Sequence, residues 1–472
     1  MKQQQTGARL WLTMTAVGLF TFMSTLDGSI VNIALPTISS EMGIPMNQAT
    51  WTVSIYLIVI SGLLTLFGNL GDQLGKIRVF KIGTIIFTIG SLLAGVNLGL
   101  PFLLAMRFIQ AIGAAMTMST SFGINTNLAP IEMRGRAMSF NAAWVSLGSI
   151  MGPALGGLLL QSFSWSFIFW INVPIGIIAI IVGSILLPKS SPRTTKVKID
   201  WLGAVLLFVT VTLLFLALNI GQIQGFLALI PVGLLLITVG TLITFIWHEL
   251  RVPMPLLDLT IFKSKLFTIS LIATFLVFVT NFFINVLMPF YLENVRGLSE
   301  GTAGLYLLLW PLAMLIFSSV SGLLADKMDR EYVTMFGLGV LALAMFSWLY
   351  VQDNTSFVLI GTLLAATGFG MAFFQTPNNA LIMSNAPASQ LGLAGSLNAL
   401  ARNMGMITGT TLVTSILYAV MSNQVGYHLT TYPAKQPAVF MTGMHVAFMS
   451  ASALLVIAFG LTLYRIRMKN IA

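Results

Sequence analysis

The sequence predicts an all-α protein that crosses a lipid bilayer about fourteen times, and three observations carry that expectation. Charged residues make up 8% of the 472 residues and hydrophobic residues 57%, with a mean hydropathy of +0.93. A soluble domain carries roughly 25% charge, so a water-exposed globular protein is excluded. Apolar runs separated by short polar breaks have the length, about 20 residues, that a helix needs to cross hydrocarbon. These runs are apolar all round, whereas a membrane strand would alternate polar and apolar positions over about 10 residues. Helices satisfy their own backbone groups in lipid, so helices are expected.

The expected spans are 11–33, 50–70, 79–99, 101–123, 137–161, 165–187, 199–220, 226–247, 265–291, 302–325, 331–351, 355–381, 394–419 and 441–465. The first is too long for a signal-peptide core, and no small-residue cleavage site follows it. With the N-terminus inside, 19 of the 23 basic residues fall in inner segments, and outer loops hold only Arg296 and Lys435. That bias places both termini in the cytoplasm and agrees with an even number of spans. The net charge of +10 then follows from topology, not from a nucleic-acid-binding face. The chain has no cysteine, and His248, His428 and His445 are widely scattered, so neither disulfides nor a metal centre is expected.

The chain repeats itself. Asn32-Ile33-Ala34-Leu35-Pro36 returns as Asn285-Val286-Leu287-Met288-Pro289, and Gly68-x-Leu70-x-Asp72 returns as Gly322-x-Leu324-x-Asp326. Ser139-x-Asn141-Ala142, with Gly148 and Gly152, returns as Ser396-x-Asn398-Ala399, with Gly405 and Gly409. The three offsets, 253, 254 and 257, are nearly constant. We therefore expect a duplicated six-span bundle, 1–188 and 251–472, with a two-span hairpin inserted at 189–250. Parallel repeats rocking about a midplane site are a common plan for secondary transporters.

Transport needs an energy source. Gly71-x-x-x-Gly75-Lys76 is one residue short of a phosphate loop, with Ile77 where Ser or Thr would hold a metal, so no nucleotide is expected. An ion gradient remains, and a proton carrier needs a buried titratable group. On the expected spans one acid, Asp27, lies inside the membrane away from the span ends. Arg107 lies at the same depth, both roughly 9–12 Å below the outer boundary at 1.5 Å per residue. Burial favours a neutral carboxyl and a nearby guanidinium favours an ionised one, so relative movement of the two could load and release a proton. The alternative is a static ion pair joining two helices. A single membrane acid cannot easily hold a proton and pair with a dication, which favours monocationic, zwitterionic or neutral substrates.

Gly148, Gly152 and Gly156 share one face of their helix, which permits close helix approach, and Pro153 can bend it. Arg402 lies about eight residues into its span; it either snorkels to the inner surface or serves an inner gate or anionic substrate contact. A mostly apolar cavity with a few polar anchors is expected, drawn from Asn32, Tyr56, Gln110, Asn281, Phe282, Trp310, Gln375 and Arg402.

The loop Gly68-Asn69-Leu70-Gly71-Asp72-Gln73-Leu74-Gly75-Lys76-Ile77-Arg78 resembles the signature loop of the major facilitator superfamily. Leu26 to Pro36, Gly148-x-x-x-Gly152-Pro153-x-x-Gly156-Gly157 and Pro255-Leu256-Leu257-Asp258 resemble its fourteen-span drug/proton antiporter branch. Gln73 and Ile77 depart from the basic residues common in that loop, and the second copy has Asp329 where the first has Gly75. The resemblance implies a proton-coupled exporter of amphipathic compounds in a bacterial cytoplasmic membrane, acting as a monomer without cofactor. It implies that Asp27 takes the proton, that Arg107 modulates it, and that Gly68, Asp72, Gly75, Lys76 and Arg78 gate the cytoplasmic side. It also implies that the Gly148 to Gly156 motif marks export. Export of an endogenous lipid or metabolite, or uptake, fits the same scaffold. A non-transporting sensor or intramembrane enzyme is the alternative from another class, though no nucleophile set or soluble signalling domain supports it.

Overall fold

The computed structural model describes residues 7–44, 46–130, 133–188, 199–387, 390–427 and 437–471. The long helices are α1 Gly7–Glu41, α2 Trp51–Leu74, α3 Lys76–Ala94, α4 Leu100–Leu128, α5 Arg134–Ser162, α6 Phe167–Leu186 and α7 Trp201–Gln224. They continue as α8 Leu229–Glu249, α9 Lys265–Phe290, α10 Thr302–Lys327, α11 Arg330–Ser347, α12 Phe357–Ser384, α13 Leu391–Val425 and α14 Pro437–Ile471. No strand occurs among the described residues. Among the described residues, thirteen helical segments are long and apolar enough to cross a membrane. The fourteenth helix, α5, has 29 residues, long enough to span at about 44 Å. The first helix continues past its expected end at residue 33, to Glu41.

Helix α3 shows why these residues belong in lipid. Ile82, Ile85, Ile89 and Leu92 are exposed, while Gly83, Thr84, Thr88, Gly90 and Ser91 are buried. Bulky aliphatics face out and small or hydroxylated residues face in, the reverse of a soluble amphipathic helix. The small residues let α4 approach closely. A Cβ added to Gly90 would lie 2.8 Å from the backbone nitrogen of Gln110.

The chain forms two compact units. Unit 1 comprises Met1–Thr212, Gly240–Ile261 and Met383–Leu400; unit 2 comprises Leu213–Val239, Phe262–Ile382 and Ala401–Ala472. In unit 1, Phe20 meets Phe80 and Phe87 edge-on at 5.7 and 5.3 Å, and Trp165 packs against Phe169 nearby on α6. Unit 2 is built around Phe283, Leu287, Trp348, Phe374 and Phe448, with Trp348 stacked on Phe448 at 5.6 Å.

Unit 2 buries a second acid, at the end of a span rather than inside it. Glu331, in the first turn of α11, is 1% exposed and accepts a 2.7 Å hydrogen bond from Arg465 Nε of α14. Arg465 is itself fully buried and donates to Ser270 Oγ of α9 at 2.6 Å and Asn378 Oδ1 of α12 at 3.0 Å. One guanidinium thus ties four helices together. Outside the bilayer, Asp329 caps α11 through the Glu331 N–H and pairs with Lys469 at 2.6 Å. Burial works against ionised Asp329, but the Lys469 ammonium and the backbone N–H prevail and hold its carboxyl below the usual aspartate value.

Candidate functional site

Asp27 lies on α1, in unit 1, with no exposed surface. Its carboxylate accepts three hydrogen bonds: Arg107 Nη1 at 2.5 Å on Oδ2, and Gln110 Nε2 at 2.8 Å and Asn172 Nδ2 at 3.0 Å on Oδ1. Arg107 and Gln110 are one turn apart on α4, so a single helix face brings both to the acid. Asn172 comes from α6 immediately after a break in that helix at Ile171.

Arg107 is held independently of the acid. Its Nε donates to Thr52 O at 2.9 Å, its Nη1 also reaches Gln110 Oε1 at 2.6 Å, and its guanidinium lies 4.1 Å from the centre of the Tyr56 ring. Phe169 stands 5.4 Å away on another side. These contacts let the cation keep its place if Asp27 becomes neutral. Gln110 Nε2 also donates to Ser91 Oγ at 2.7 Å. Arg107 Nη2 and Asn172 Oδ1 are buried without a hydrogen-bond partner among the described residues. The arrangement provides a shielded carboxylate, a fixed counter-cation and spare polar capacity.

Tyr56 and Gln110, expected in a substrate cavity, therefore surround the acid. Asn172, Thr52 and Ser91 were missed. A lone amide in the apolar run of α6 was the available signal for Asn172.

The glycine motif of α5 packs on the helix that carries Asp27. Cβ atoms added to Gly148 and Gly152 would fall 2.5 Å from Phe22 O and 1.8 Å from Ser29 Oγ, and Ser29 Oγ donates to Gly148 O at 3.2 Å. Gly156 is buried, whereas the side chains of Pro153 and Asn32 lie outside the described residues.

The signature loop is a second constellation in unit 1. Asp72 pairs with Lys76, and its Oδ2 accepts from the Leu393 N–H at 3.2 Å, in the first turn of α13. A carboxylate there meets unsatisfied backbone donors and the positive end of the helix dipole. Gly392 and Gly68 allow the approach: added Cβ atoms would lie 2.6 Å from Asp72 Oδ1 and 2.0 Å from Ser396 Oγ, respectively. Gly75 turns the chain from α2 into α3 at φ +99°, which disfavours a side chain. Arg78 is exposed. Asn69 Nδ2 donates to Leu256 O at 3.1 Å, and Glu249 Oε2 accepts from the Leu257 N–H at 2.9 Å, so segment 255–257 joins the base of α8 to this loop.

The remaining candidates lie in unit 2. Asn281 and Gln375 are buried, Trp310 and Phe282 partly so. Asn281 Oδ1, Gln375 Oε1 and Trp310 Nε1 have no hydrogen-bond partner among the described residues. Arg402 is 8% exposed.

The sequence matches the Major Facilitator Superfamily over residues 17–410. It is 33% identical to the riboflavin transporter RibZ of Clostridioides difficile over 406 residues, covering 86% of this chain and 88% of that protein. It is 30% identical to the multidrug export protein EmrB of Escherichia coli over 420 residues, covering 88% and 82%. Among solved structures, the human organic anion transporter MFSD10 superposes with a TM-score of 0.67 at 15% identity, covering 97% of this chain and 100% of that one. That likeness establishes the fold. From the helical architecture, the match across most of its length and these relatives, the chain belongs to the major facilitator superfamily: it is a multi-pass cell-membrane transporter.

Proposed function

We propose that the protein is a proton-coupled antiporter that exports amphipathic compounds by alternating access of two six-helix bundles, with residues 189–250 an inserted hairpin. The carrying observation is the solvent-shielded Asp27, ringed by three donors, beside an Arg107 that has other acceptors and an aromatic face of its own. Ionised Asp27 balances Arg107, and protonation of Asp27 would shift that cation onto Thr52 O, Gln110 and Tyr56. Similarity to EmrB supports drug export. A second reading, carriage of a metabolite, is favoured by the similarity to RibZ.

The test is accumulation of a fluorescent amphiphile by cells expressing the protein, with and without an uncoupler. We expect lower accumulation that the uncoupler restores to the level of non-expressing cells. A difference unaffected by the uncoupler would contradict proton drive, and accumulation above the control would reverse the direction.

In this reading the Asp72 clasp on α13 favours the outward-open state. The chain has no native cysteine, so a Ser396→Cys probe has no labelling background. Ser396 is fully buried. Adding Asp72→Asn should raise labelling of Cys at that position by a membrane-impermeant maleimide from the cytoplasmic face at least severalfold. An unchanged rate would remove Asp72 from the gate.

A further inference from the structure

Three arginines are buried among the described residues: Arg107, Arg402 and Arg465. Two have carboxylates, Asp27 at 2.5 Å and Glu331 at 2.7 Å. Arg402 has neither an ion pair nor a hydrogen bond with any described residue. A guanidinium cannot shed its proton to escape burial, and a buried charge without a partner is among the costliest groups a fold can carry.

It lies well inside its helix. Arg402 lies 11 residues beyond Leu391, the first residue of α13, which is about 17 Å along the helix axis. Gly405 and Gly409, three and seven residues further, continue its row. Cβ atoms added to them would fall 2.7 Å from Phe275 O and 2.4 Å from Val279 O of α9. Arg402 therefore emerges on the α9 side of α13. In the same unit, Asn281 of α9 is 2% exposed with an unpartnered Oδ1, and Gln375 of α12 is 4% exposed with an unpartnered Oε1. These side chains offer polar capacity that the protein itself does not use.

We propose that Arg402 is an anion-accepting subsite that receives a carboxylate or similar oxyanion of the transported amphiphile. This rests on the transport reading and narrows it, from amphiphiles in general to those carrying an anionic group, whether anions or zwitterions. Arg107, by contrast, is paired with Asp27 in this structure. The selection operates through desolvation: an anionic group meets a cation whose burial cost the fold has already met, whereas a cationic group meets repulsion.

The probes are a carboxylate-bearing xanthene dye and its methyl ester, with binding followed by fluorescence polarisation on purified protein and export followed in proteoliposomes. Wild-type protein should bind the carboxylate dye at least tenfold more tightly than the ester. Arg402→Gln should abolish that preference while leaving ester affinity within about twofold, and Arg402→Lys should restore part of it. Equal loss of both dyes in Arg402→Gln, or an unchanged preference, would overturn the proposal. So would export of the ester alone by the wild type, with drug export left standing. Arg402-dependent binding without movement of either dye would support the subsite and overturn the transport reading. Repeating the binding in phosphatidylcholine vesicles with added phosphatidylglycerol separates the sources of the anion. Displacement of the dye by that lipid would reassign Arg402 to a headgroup and overturn the substrate assignment.

Discussion

Asp27→Asn protein is expected to fold, reach the membrane and lose uphill export. A proton moving through about 100 mV releases about 2.3 kcal/mol, enough to sustain roughly a fiftyfold gradient of a neutral substrate. Asn removes the exchangeable proton but keeps the size of the side chain, so the gradient should fall to about unity while downhill movement persists. The structural cost is limited because Arg107 retains Thr52 O, Gln110 Oε1 and the Tyr56 ring. Asp27→Glu should recover part of the coupling. A static ion pair makes the opposite prediction: Asp27→Asn would lower stability and leave the gradient of the surviving protein intact. Dye efflux normalised to folded protein separates the two.

The largest stability effect is expected in unit 2. Arg465→Met leaves Glu331 buried without its cation, and Glu331→Met leaves Arg465 buried without its anion. Removing one partner of a buried pair costs about 3–5 kcal/mol, whereas replacing both by apolar groups of similar volume is often close to neutral. Each single variant should therefore unfold at clearly lower temperature in detergent, and the double variant should recover most of the loss. Arg465 also donates to Ser270 and Asn378, so the double variant leaves those groups to find other partners and recovery stays incomplete. If the double variant is as unstable as the sum of the singles, the two residues do not act as a pair. Transport by the double variant should survive, because this assembly shares no residue with the Asp27 site.

The contrast between these two ion pairs shows what the sequence made legible. Asp27 and Arg107 stand alone inside long apolar runs, and simple helix arithmetic put them at one depth. Glu331 and Arg465 lie near helix ends among Lys327, Asp329, Arg330, Arg467 and Lys469, so composition reads them as surface charge. Side-chain packing across α9, α11, α12 and α14 buries them, and no local pattern encodes that. Asn172 escaped notice because a neutral amide in a span costs far less than a charge and so stands out less. Glycine spacing predicted close packing of α5, but spacing alone could not name α1 as its neighbour. Arg402 was legible as an anomaly; its burial and lack of a carboxylate partner required coordinates.

In the proposed mechanism, substrate and proton exchange on Asp27. Its most direct test is proton release from purified protein, measured in weakly buffered detergent solution with a pH-sensitive dye as an amphiphilic substrate is added. Wild-type protein is expected to release up to one proton per molecule on binding substrate, and Asp27→Asn none at matched substrate occupancy. Equal release from both proteins would contradict it.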